Sequence, residues 1–276
     1  MSRQAYVDHQ KKLILFWSPK VGCTSLVHWF THGALGLAPG YVKNETPYKD
    51  ARAWLKGEGY HIDHVVAKNM IERGGYQSVV VSRHPATRAL SAYLNKFVRY
   101  QNREIDAPMK LEHFSKQAYK QWKGIPPKAP IKNYEGLSFI EFLSNIRDDV
   151  TKARSAGEDP KLNNHWNTQV PFKFQSWGFQ YDKKFQLENF GEAISWLNEK
   201  YGMAAPEART NVTKYGTEAK PDAAHLSSVE LSKHPEWLAP ENFLTDEALD
   251  LVAEAYAIDY DYFGYDPRDV MAGPKS

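Results

Sequence analysis

Short runs of apolar residues alternate along the first hundred positions with segments whose apolar residues follow a helical spacing. The runs at Lys12–Trp17 and Ser78–Ser82 show no polar alternation, which is typical of strands buried on both faces. After the first run, Leu26, Trp29 and Phe30 recur at intervals of three and four and predict an amphipathic helix. Buried strands interleaved with helices predict an α/β fold with a central, mostly parallel sheet flanked by helices.

Further elements follow from the same patterns. Val65–Ala67 predicts a third short strand, and Pro85 suits the first turn of a helix. Later in the chain we predict a proline-rich loop at 124–136, a helix from about Phe139, a strand at Lys184–Glu188 with a helix to about Tyr201, and a helix capped by Thr245.

Composition narrows the class of protein. The 276 residues include 35 Lys and Arg and 33 Asp and Glu, which gives a net charge of +2. This near balance argues against nucleic acid as the main partner. One cysteine excludes an intrachain disulfide and a four-cysteine zinc site. No stretch reaches the roughly 18 apolar residues of a membrane span, and the first residues lack a signal-peptide pattern. We therefore expect a cytoplasmic protein without a transmembrane segment.

The segment Leu13–Leu26 contains a predicted strand, a turn with Lys20 and Gly22, and then a predicted helix. The first N–H groups of a helix have no partner within it, and the helix dipole places partial positive charge there. Gly22 permits the backbone to curl so that successive N–H groups converge. Lys20 adds a full positive charge, and Thr24 and Ser25 add hydroxyl donors. These groups together favour a phosphate-type anion.

This segment differs from the Walker A loop of kinases and NTPases. That loop places its lysine directly after the last glycine, whereas Lys20 precedes Gly22 by two positions. No aspartate at a strand end is evident as a Mg²⁺ ligand. In the alternative interpretation, the segment is an ordinary turn whose Thr24 and Ser25 cap the helix.

The segment Val79–Tyr93 has a similar construction. Arg83 follows a predicted strand, and Ser91 lies about two turns into the next helix, on the same face as Arg88. A guanidinium with a nearby hydroxyl suits a terminal phosphate. In the alternative, Arg83 is a surface residue and Ser91 bonds to its own backbone. Since open α/β sheets bind ligands at the carboxyl ends of their strands, the two turns together fit a ligand phosphorylated at two places.

The spelling of these segments resembles that of sulfotransferases that use 3′-phosphoadenylyl sulfate (PAPS). PKVGCTSL at Pro19–Leu26 is similar to their 5′-phosphosulfate-binding loop, and SRHPATRALSAY is similar to their 3′-phosphate-binding motif. The carbohydrate branch, sulfotransferase family 2, is most similar, with weaker echoes at Asn164–Gln169 and Asp259–Tyr265. One departure is His84, where the family usually has an aspartate that helps to fix the turn.

The resemblance implies a single P-loop-like domain over residues 1–276, with a nucleotide-binding core at about 12–100 and acceptor-side regions at about 100–180 and 205–245. It implies transfer of a sulfuryl group from PAPS to a hydroxyl of a glycan or another small acceptor. Adenosine 3′,5′-bisphosphate is then the second product, and no metal is required. The implied donor-binding residues are Lys20, Val21, Gly22, Cys23, Thr24, Ser25, Arg83 and Ser91, and Lys20 is also implied as catalytic.

Transfer to a sugar hydroxyl needs a base, and histidine is the usual choice near neutral pH. Related glycan 2-O-sulfotransferases carry a Tyr-His-x-His-Val run between the two motifs. Here Tyr60–Val65 is one residue longer. The resemblance favours His64 as the base, with His61 second and Asp63 orienting one of them, and His165 is the rival.

Other interpretations stay open at this point. A P-loop kinase or NTPase would require Mg²⁺, and a non-catalytic nucleotide-binding protein would lack a base near the donor. Arg209–Lys214 is either a loop over the nucleotide or a solvated loop. His28 and His32 lie four apart without an obvious third ligand, so we expect no metal site. The sequence does not give the oligomeric state.

Overall fold

The computed structural model describes residues 4–36, 47–202 and 216–270. Within these ranges the strands are β1 (Gln4–Asp8), β2 (Leu13–Phe16), β3 (His61–Asp63), β4 (Gln77–Ser82), β5 (Arg99–Tyr100), β6 (Arg103–Glu104) and β7 (Lys183–Gln186). The α-helices are α1 (Cys23–His28), α2 (Pro47–Gly57), α3 (His64–Gly74), α4 (Pro85–Tyr93), α5 (His113–Trp122), α6 (Phe139–Ser155), α7 (Phe172–Ser176), α8 (Phe190–Tyr201), α9 (Ser228–Lys233), α10 (Asp246–Ala255) and α11 (Ala257–Phe263). Two π-helical segments, Trp29–Ala34 and Leu94–Val98, continue α1 and α4.

The central sheet has the strand order β3-β1-β2-β4-β7. β2 is parallel to β4, and β4 is parallel to β7, whereas β1 is antiparallel to both of its neighbours. Four of these five strands therefore run in one direction, and their carboxyl ends meet at one edge. The predicted α/β fold with a mostly parallel sheet and flanking helices is confirmed, and its P-loop-like character stays a prediction.

The hydrophobic pattern did not predict β1. Its three apolar residues, Ala5–Val7, are fully buried because the strand lies inside the sheet. The strand ends at Asp8, whose carboxylate is also buried and accepts hydrogen bonds from the backbone N–H and the ammonium of Lys11 at 3.0 and 3.2 Å. A run of three apolar residues beside polar neighbours gives too weak a periodic signal to indicate a buried strand.

The predicted strand at Val65–Ala67 is wrong. β3 ends at Asp63, whose carboxylate accepts a hydrogen bond from the N–H of Val65 at 2.7 Å and so caps α3. Val65 and Val66 consequently lie on the first turn of a helix, with 53% and 48% of their surfaces exposed. The strand preference of β-branched residues is context-dependent, and here the cap decides the structure.

The other predicted elements are confirmed. α6 begins after Ser138, which forms a capping box with Glu141. β7 and α8 occupy the predicted strand and helix, and Thr245 caps α10 by accepting a hydrogen bond from the N–H of Ala248. Local signals of this kind need no distant partner to form.

Contacts between residues divide the described chain into two compact units. Residues 4–36, 47–84 and 176–202 form the first unit, which contains the central sheet. In its core, Leu13, Leu15 and Trp17 pack with residues of α1 and α8. Residues 85–175 and 216–270 form the second unit, whose core includes α4, α6 and α10. The interpretation as a single domain stays a prediction.

No helix in the described ranges is long and apolar enough to cross a membrane.

Candidate active site

The turn between β2 and α1 is built around two residues in the left-handed backbone region. Lys20 has a φ of 75° and Gly22 a φ of 74°. Gly22 is also the N-cap of α1, and its carbonyl accepts a hydrogen bond from the N–H of Leu26 at 3.0 Å. A chain that enters the left-handed region in a turn directs successive N–H groups inward, as in an anion-binding nest. This backbone suits a phosphate-type anion.

Both the side chain of Leu187 and the positive φ favour glycine at position 22. A Cβ added at this position would lie 3.0 Å from Cδ1 of Leu187, which directly follows β7. Few Cβ atoms come so close to a neighbour, and L-residues rarely adopt this φ. The end of β7 therefore closes against the turn and leaves room only for glycine without adjustment.

Arg83 connects the second motif to this turn. Arg83 directly follows β4, and its Nη1 donates a hydrogen bond to the carbonyl of Lys20 at 3.1 Å. β2 and β4 are neighbours and parallel, so their carboxyl ends lie side by side. The structure thus brings Lys20 and Arg83 together, although they are far apart in the sequence.

The turn that follows Arg83 is held by a carboxylate from another segment. His84 is buried, and its backbone N–H donates a hydrogen bond to Oε1 of Glu188 at 2.9 Å. Glu188 lies in the 3₁₀ turn Leu187–Asn189 after β7. A carboxylate therefore anchors this turn even though position 84 carries histidine in place of the usual aspartate.

Cys23 opens α1 and is followed by Thr24 and Ser25, which are half-buried on its first turn. The Cys23 thiol donates a hydrogen bond to the carbonyl of Ser18 at 3.3 Å. Burial raises the pKa of this thiol, against the opposing effects of the positive charges of Arg52 and Lys20. A thiol with a raised pKa is mostly protonated near neutral pH and is therefore a poor nucleophile.

The two histidines of the Tyr60–Val65 run lie on opposite faces of the sheet. The His61 ring stacks on Trp17, with centroids 6.2 Å apart, and contacts Tyr6 on the face covered by α1. The His64 ring meets the edge of Phe16 on the other face, with centroids 4.9 Å apart. Phe16 and Trp17 are consecutive, so their side chains point to opposite sides.

His64 lies nearer to the carboxyl edge than His61. It is buried and is the first residue of α3, directly after β3 ends. β3 runs toward the carboxyl edge and ends at Asp63, so His61, at its first position, lies two residues further from that edge. In the sheet register His61 is level with Tyr6 of β1 and Leu15 of β2. The carboxylate of Asp63 is engaged as the cap of α3.

Arg52 of α2 lies beside the β2–α1 turn, and no sequence motif pointed to this residue. Its guanidinium carbon lies 4.4 Å from the centroid of the Trp17 ring. Desolvation by burial, followed by the charges of Arg52 and Lys56, lowers the pKa of His61 to about 4. His61 is therefore neutral at pH 7 and a weak base. Only a prediction of α2 could have indicated that Arg52 faces this region.

The remaining motif residues belong to the second unit. Arg88 is fully buried and donates hydrogen bonds to the carbonyls of Asn167 and Asn164 at 2.8 and 2.9 Å. Arg88 therefore holds the segment Asn164–Gln169, whose sequence weakly resembles that of the family. Ser91 lies on α4 and is half-buried. His165 stacks on Phe114, with centroids 5.0 Å apart.

Two further expectations concern a loop and a metal. Arg209–Lys214 lies outside the described residues. The rings of His28 and His32 stack with centroids 5.9 Å apart. Within residues 4–36, 47–202 and 216–270, no group of three or more potential ligands is arranged to hold a metal ion.

The sequence was also compared with models of known protein families. The model of a family described as the sulfotransferase family matches residues 3–266, which include almost all of both units. The chain belongs to the sulfotransferase family. Searches among curated proteins and among solved structures gave no match.

Membership of the sulfotransferase family confirms the predicted enzyme class at a general level. Enzymes of this family transfer a sulfuryl group to a hydroxylated acceptor and generally use PAPS as the donor. The assignment of individual residues to the donor, and of one histidine as the base, stays a prediction.

Proposed function

We propose that this chain transfers the sulfuryl group of PAPS to a hydroxyl of a glycan or another hydroxylated acceptor and releases adenosine 3′,5′-bisphosphate. The observation that carries the proposal is the hydrogen bond from Arg83 to the Lys20 carbonyl. It joins the two motifs that resemble the 5′- and 3′-phosphate sites at one edge of the sheet. A glycan as the acceptor and a cytoplasmic location remain expectations from the sequence.

The residues of the β2–α1 turn fit the anionic end of such a donor. Lys20 provides a cation, Gly22 permits the curled backbone, and Thr24 and Ser25 provide hydroxyl groups at the start of α1. In sulfuryl transfer the bridging oxygen of the donor gains negative charge as its bond to sulfur breaks. Fixed donors aimed at a developing charge contribute about 2.7–4 kcal/mol each to lowering a barrier. We assign this role to Lys20 and to the N–H groups of Gly22–Ser25.

Arg83 and Ser91 are proposed to hold the 3′-phosphate and thereby to set the orientation of the donor. The planar guanidinium of Arg83 has five N–H donors, so one bond to Lys20 is compatible with binding a phosphate as well. The choice of base stays between His64, His61 and His165. His64 is preferred because it lies at the carboxyl edge of the sheet, as the β2–α1 turn and Arg83 do.

Ligand-dependent thermal stability tests the donor. Adenosine 3′,5′-bisphosphate at about 100 times its Kd should stabilise the folded chain by about 2.7 kcal/mol. We expect it to raise the Tm more than ATP with Mg²⁺ does. An equal or larger shift with ATP and Mg²⁺ would favour a kinase or NTPase and contradict the proposal.

Steady-state kinetics tests the role of Lys20. We expect Lys20→Ala to lower kcat by about 10²–10³ and to change donor affinity much less, because its charge acts on the leaving oxygen. Lys161→Ala is the matched control, since Lys161 is fully solvated in the second unit with 91% of its side chain exposed. Donor binding without sulfuryl transfer to any hydroxylated acceptor would instead favour a non-catalytic nucleotide-binding protein.

A further inference from the structure

Arg52 has a defined position beside the β2–α1 turn. It lies on α2, and its guanidinium carbon is 4.4 Å from the centroid of the Trp17 ring. Trp17 directly follows β2 and precedes Lys20 by three positions. The cation is thus placed next to the start of the turn and at the carboxyl edge of the sheet.

The surroundings of Arg52 hold it in this place. Its neighbour Ala51 and the next-turn residue Leu55 are both buried, which fixes the rotation of α2 about its axis. The Trp17 ring beneath the guanidinium stacks on Tyr6, with centroids 5.4 Å apart and planes 21° apart. A guanidinium that stacks on an aromatic face contacts the ring with its flat side, and this contact restricts the orientation of the Arg52 side chain.

The charge of Arg52 acts at the start of α1. Among the charges that oppose the effect of burial on the pKa of the Cys23 thiol, that of Arg52 has the largest effect, followed by Lys20. Arg52 also acts on His61, whose ring stacks on the same Trp17. An anion bound at the first turn of α1 would therefore experience both Arg52 and Lys20.

We infer that Arg52 is a donor-binding residue that contacts the 5′-phosphosulfate end of the nucleotide. This inference rests on the proposed function, since it names a further contact within the same donor site. In this arrangement, Arg52 and Lys20 place positive charges on two sides of the bound anion, and the N–H groups of the turn contact it from below. The planar fork of a guanidinium matches the paired oxygens of a phosphate or sulfonate.

A comparison of two nucleotides distinguishes a contact with the 5′-phosphate from contacts with the rest of the ligand. Adenosine 3′,5′-bisphosphate carries the 5′-phosphate, and adenosine 3′-monophosphate is the same ligand without it. We expect Arg52→Gln to weaken binding of the bisphosphate by about tenfold, as for the loss of a charge-assisted contact. The affinity of the Arg52→Gln variant for the 3′-monophosphate should change by less than about twofold, because removal of a charge that does not contact the ligand has only a small, screened effect. Isothermal titration calorimetry measures both affinities.

Arg73→Gln is the matched control. Arg73 is exposed in the last turn of α3, next to Gly74, whose carbonyl accepts a hydrogen bond from Lys12. Lys12 directly precedes β2, so Arg73 lies toward the opposite edge of the sheet. The control makes the same change of charge in the same unit, and it should leave both affinities unchanged.

Each result decides the inference. Equal losses for the two nucleotides would show that Arg52 supports the turn without contacting the 5′-phosphate, and unchanged affinities would also overturn the inference. If Arg52→Gln does not fold, Arg52→Lys keeps the charge and should weaken binding of the bisphosphate alone, by about threefold. A wild-type chain that binds neither nucleotide would overturn the proposed function and this inference together, whereas selective failure of the Arg52 variants would leave the proposed function in place.

Discussion

His61 and His64 lie on opposite faces of the central sheet, although only two residues separate them. His61 stacks on Trp17, and His64 contacts Phe16. Two histidines separated by one residue in a strand would share a face, as the family run with one residue fewer implies. The additional residue here prevents such a shared arrangement, so we expect only one of these two histidines to reach the acceptor.

Substitution of each histidine tests which one acts as the base. We expect His64→Ala to lower kcat by about 10²–10⁴ with little change in donor affinity, as for loss of a general base. His61→Ala should lower kcat by less than about tenfold, because a group with a pKa of about 4 is a weak proton acceptor at neutral pH. The reverse order of effects would assign the base to His61, and near-normal rates in both variants would direct attention to His165.

The pH dependence of stability reports the environment of His61. Its pKa is lowered to about 4 in the folded chain, against about 6.5 when unfolded, so between these values the unfolded state binds a proton that the folded state does not. The free energy of unfolding should therefore decrease as the pH falls through this window. Urea unfolding at several pH values should show a smaller decrease for His61→Phe, which keeps a ring against Trp17. Parallel curves for the two proteins would contradict the lowered pKa.

Arg83 should discriminate between nucleotides by their 3′-phosphate. Arg83→Ala removes the proposed phosphate contact and also the hydrogen bond that supports the Lys20 carbonyl. We expect it to weaken adenosine 3′,5′-bisphosphate about tenfold more than adenosine 5′-monophosphate, because only the first ligand loses both effects. Calorimetric titration of the two nucleotides measures this difference, and equal losses would restrict Arg83 to supporting the turn.

Gly22 should tolerate no side chain without a loss of stability. Gly22→Ala places a residue with a Cβ in the left-handed region and brings this atom to 3.0 Å from Leu187. We expect a loss of about 1–2 kcal/mol in the free energy of unfolding, together with weaker donor binding. Adding Leu187→Ala should remove the clash but not the backbone strain, so the double variant should recover donor binding only in part. Full recovery would indicate that the contact alone requires glycine.

Arg88 should behave differently from Arg83, although both belong to one motif. Arg88 is fully buried and satisfies the carbonyls of Asn164 and Asn167. Arg88→Met leaves both carbonyls without their donor, and the loss costs about 1–3 kcal/mol at the buried carbonyl of Asn167. We expect a lower Tm without a change in the preference among nucleotides. A normal Tm with altered nucleotide preference would assign Arg88 to the donor site.

The parts of the fold that the sequence predicted are those with strong local signals. β2 and β4 are continuous apolar runs, and glycine or proline marks the turns that follow them. Caps such as Ser138 and Thr245 define helix starts within a few residues. These interactions connect residues that are close in sequence, so their pattern is visible without the structure.

The parts that could not be predicted depend on distant partners. α2 has only a narrow apolar stripe, including Ala51 and Leu55, among charged residues, so neither the helix nor the position of Arg52 was evident. The hydrogen bond from the His84 N–H to Glu188 connects the turn after β4 with the turn after β7, and these turns are distant in the sequence. The faces of His61 and His64 depend on where β3 ends, and a helix cap at Asp63 decides that boundary.

The position of Cys23 gives this chain a built-in reporter. The thiol is the only one in the sequence, and it lies at the start of α1, beside the β2–α1 turn, with its pKa raised by burial. Reagents such as maleimides should consequently modify one known atom, and slowly, at a rate set by how often the turn opens. Unmodified wild-type protein can thus be used to follow the occupancy of the turn by labelling kinetics, with no engineered probe.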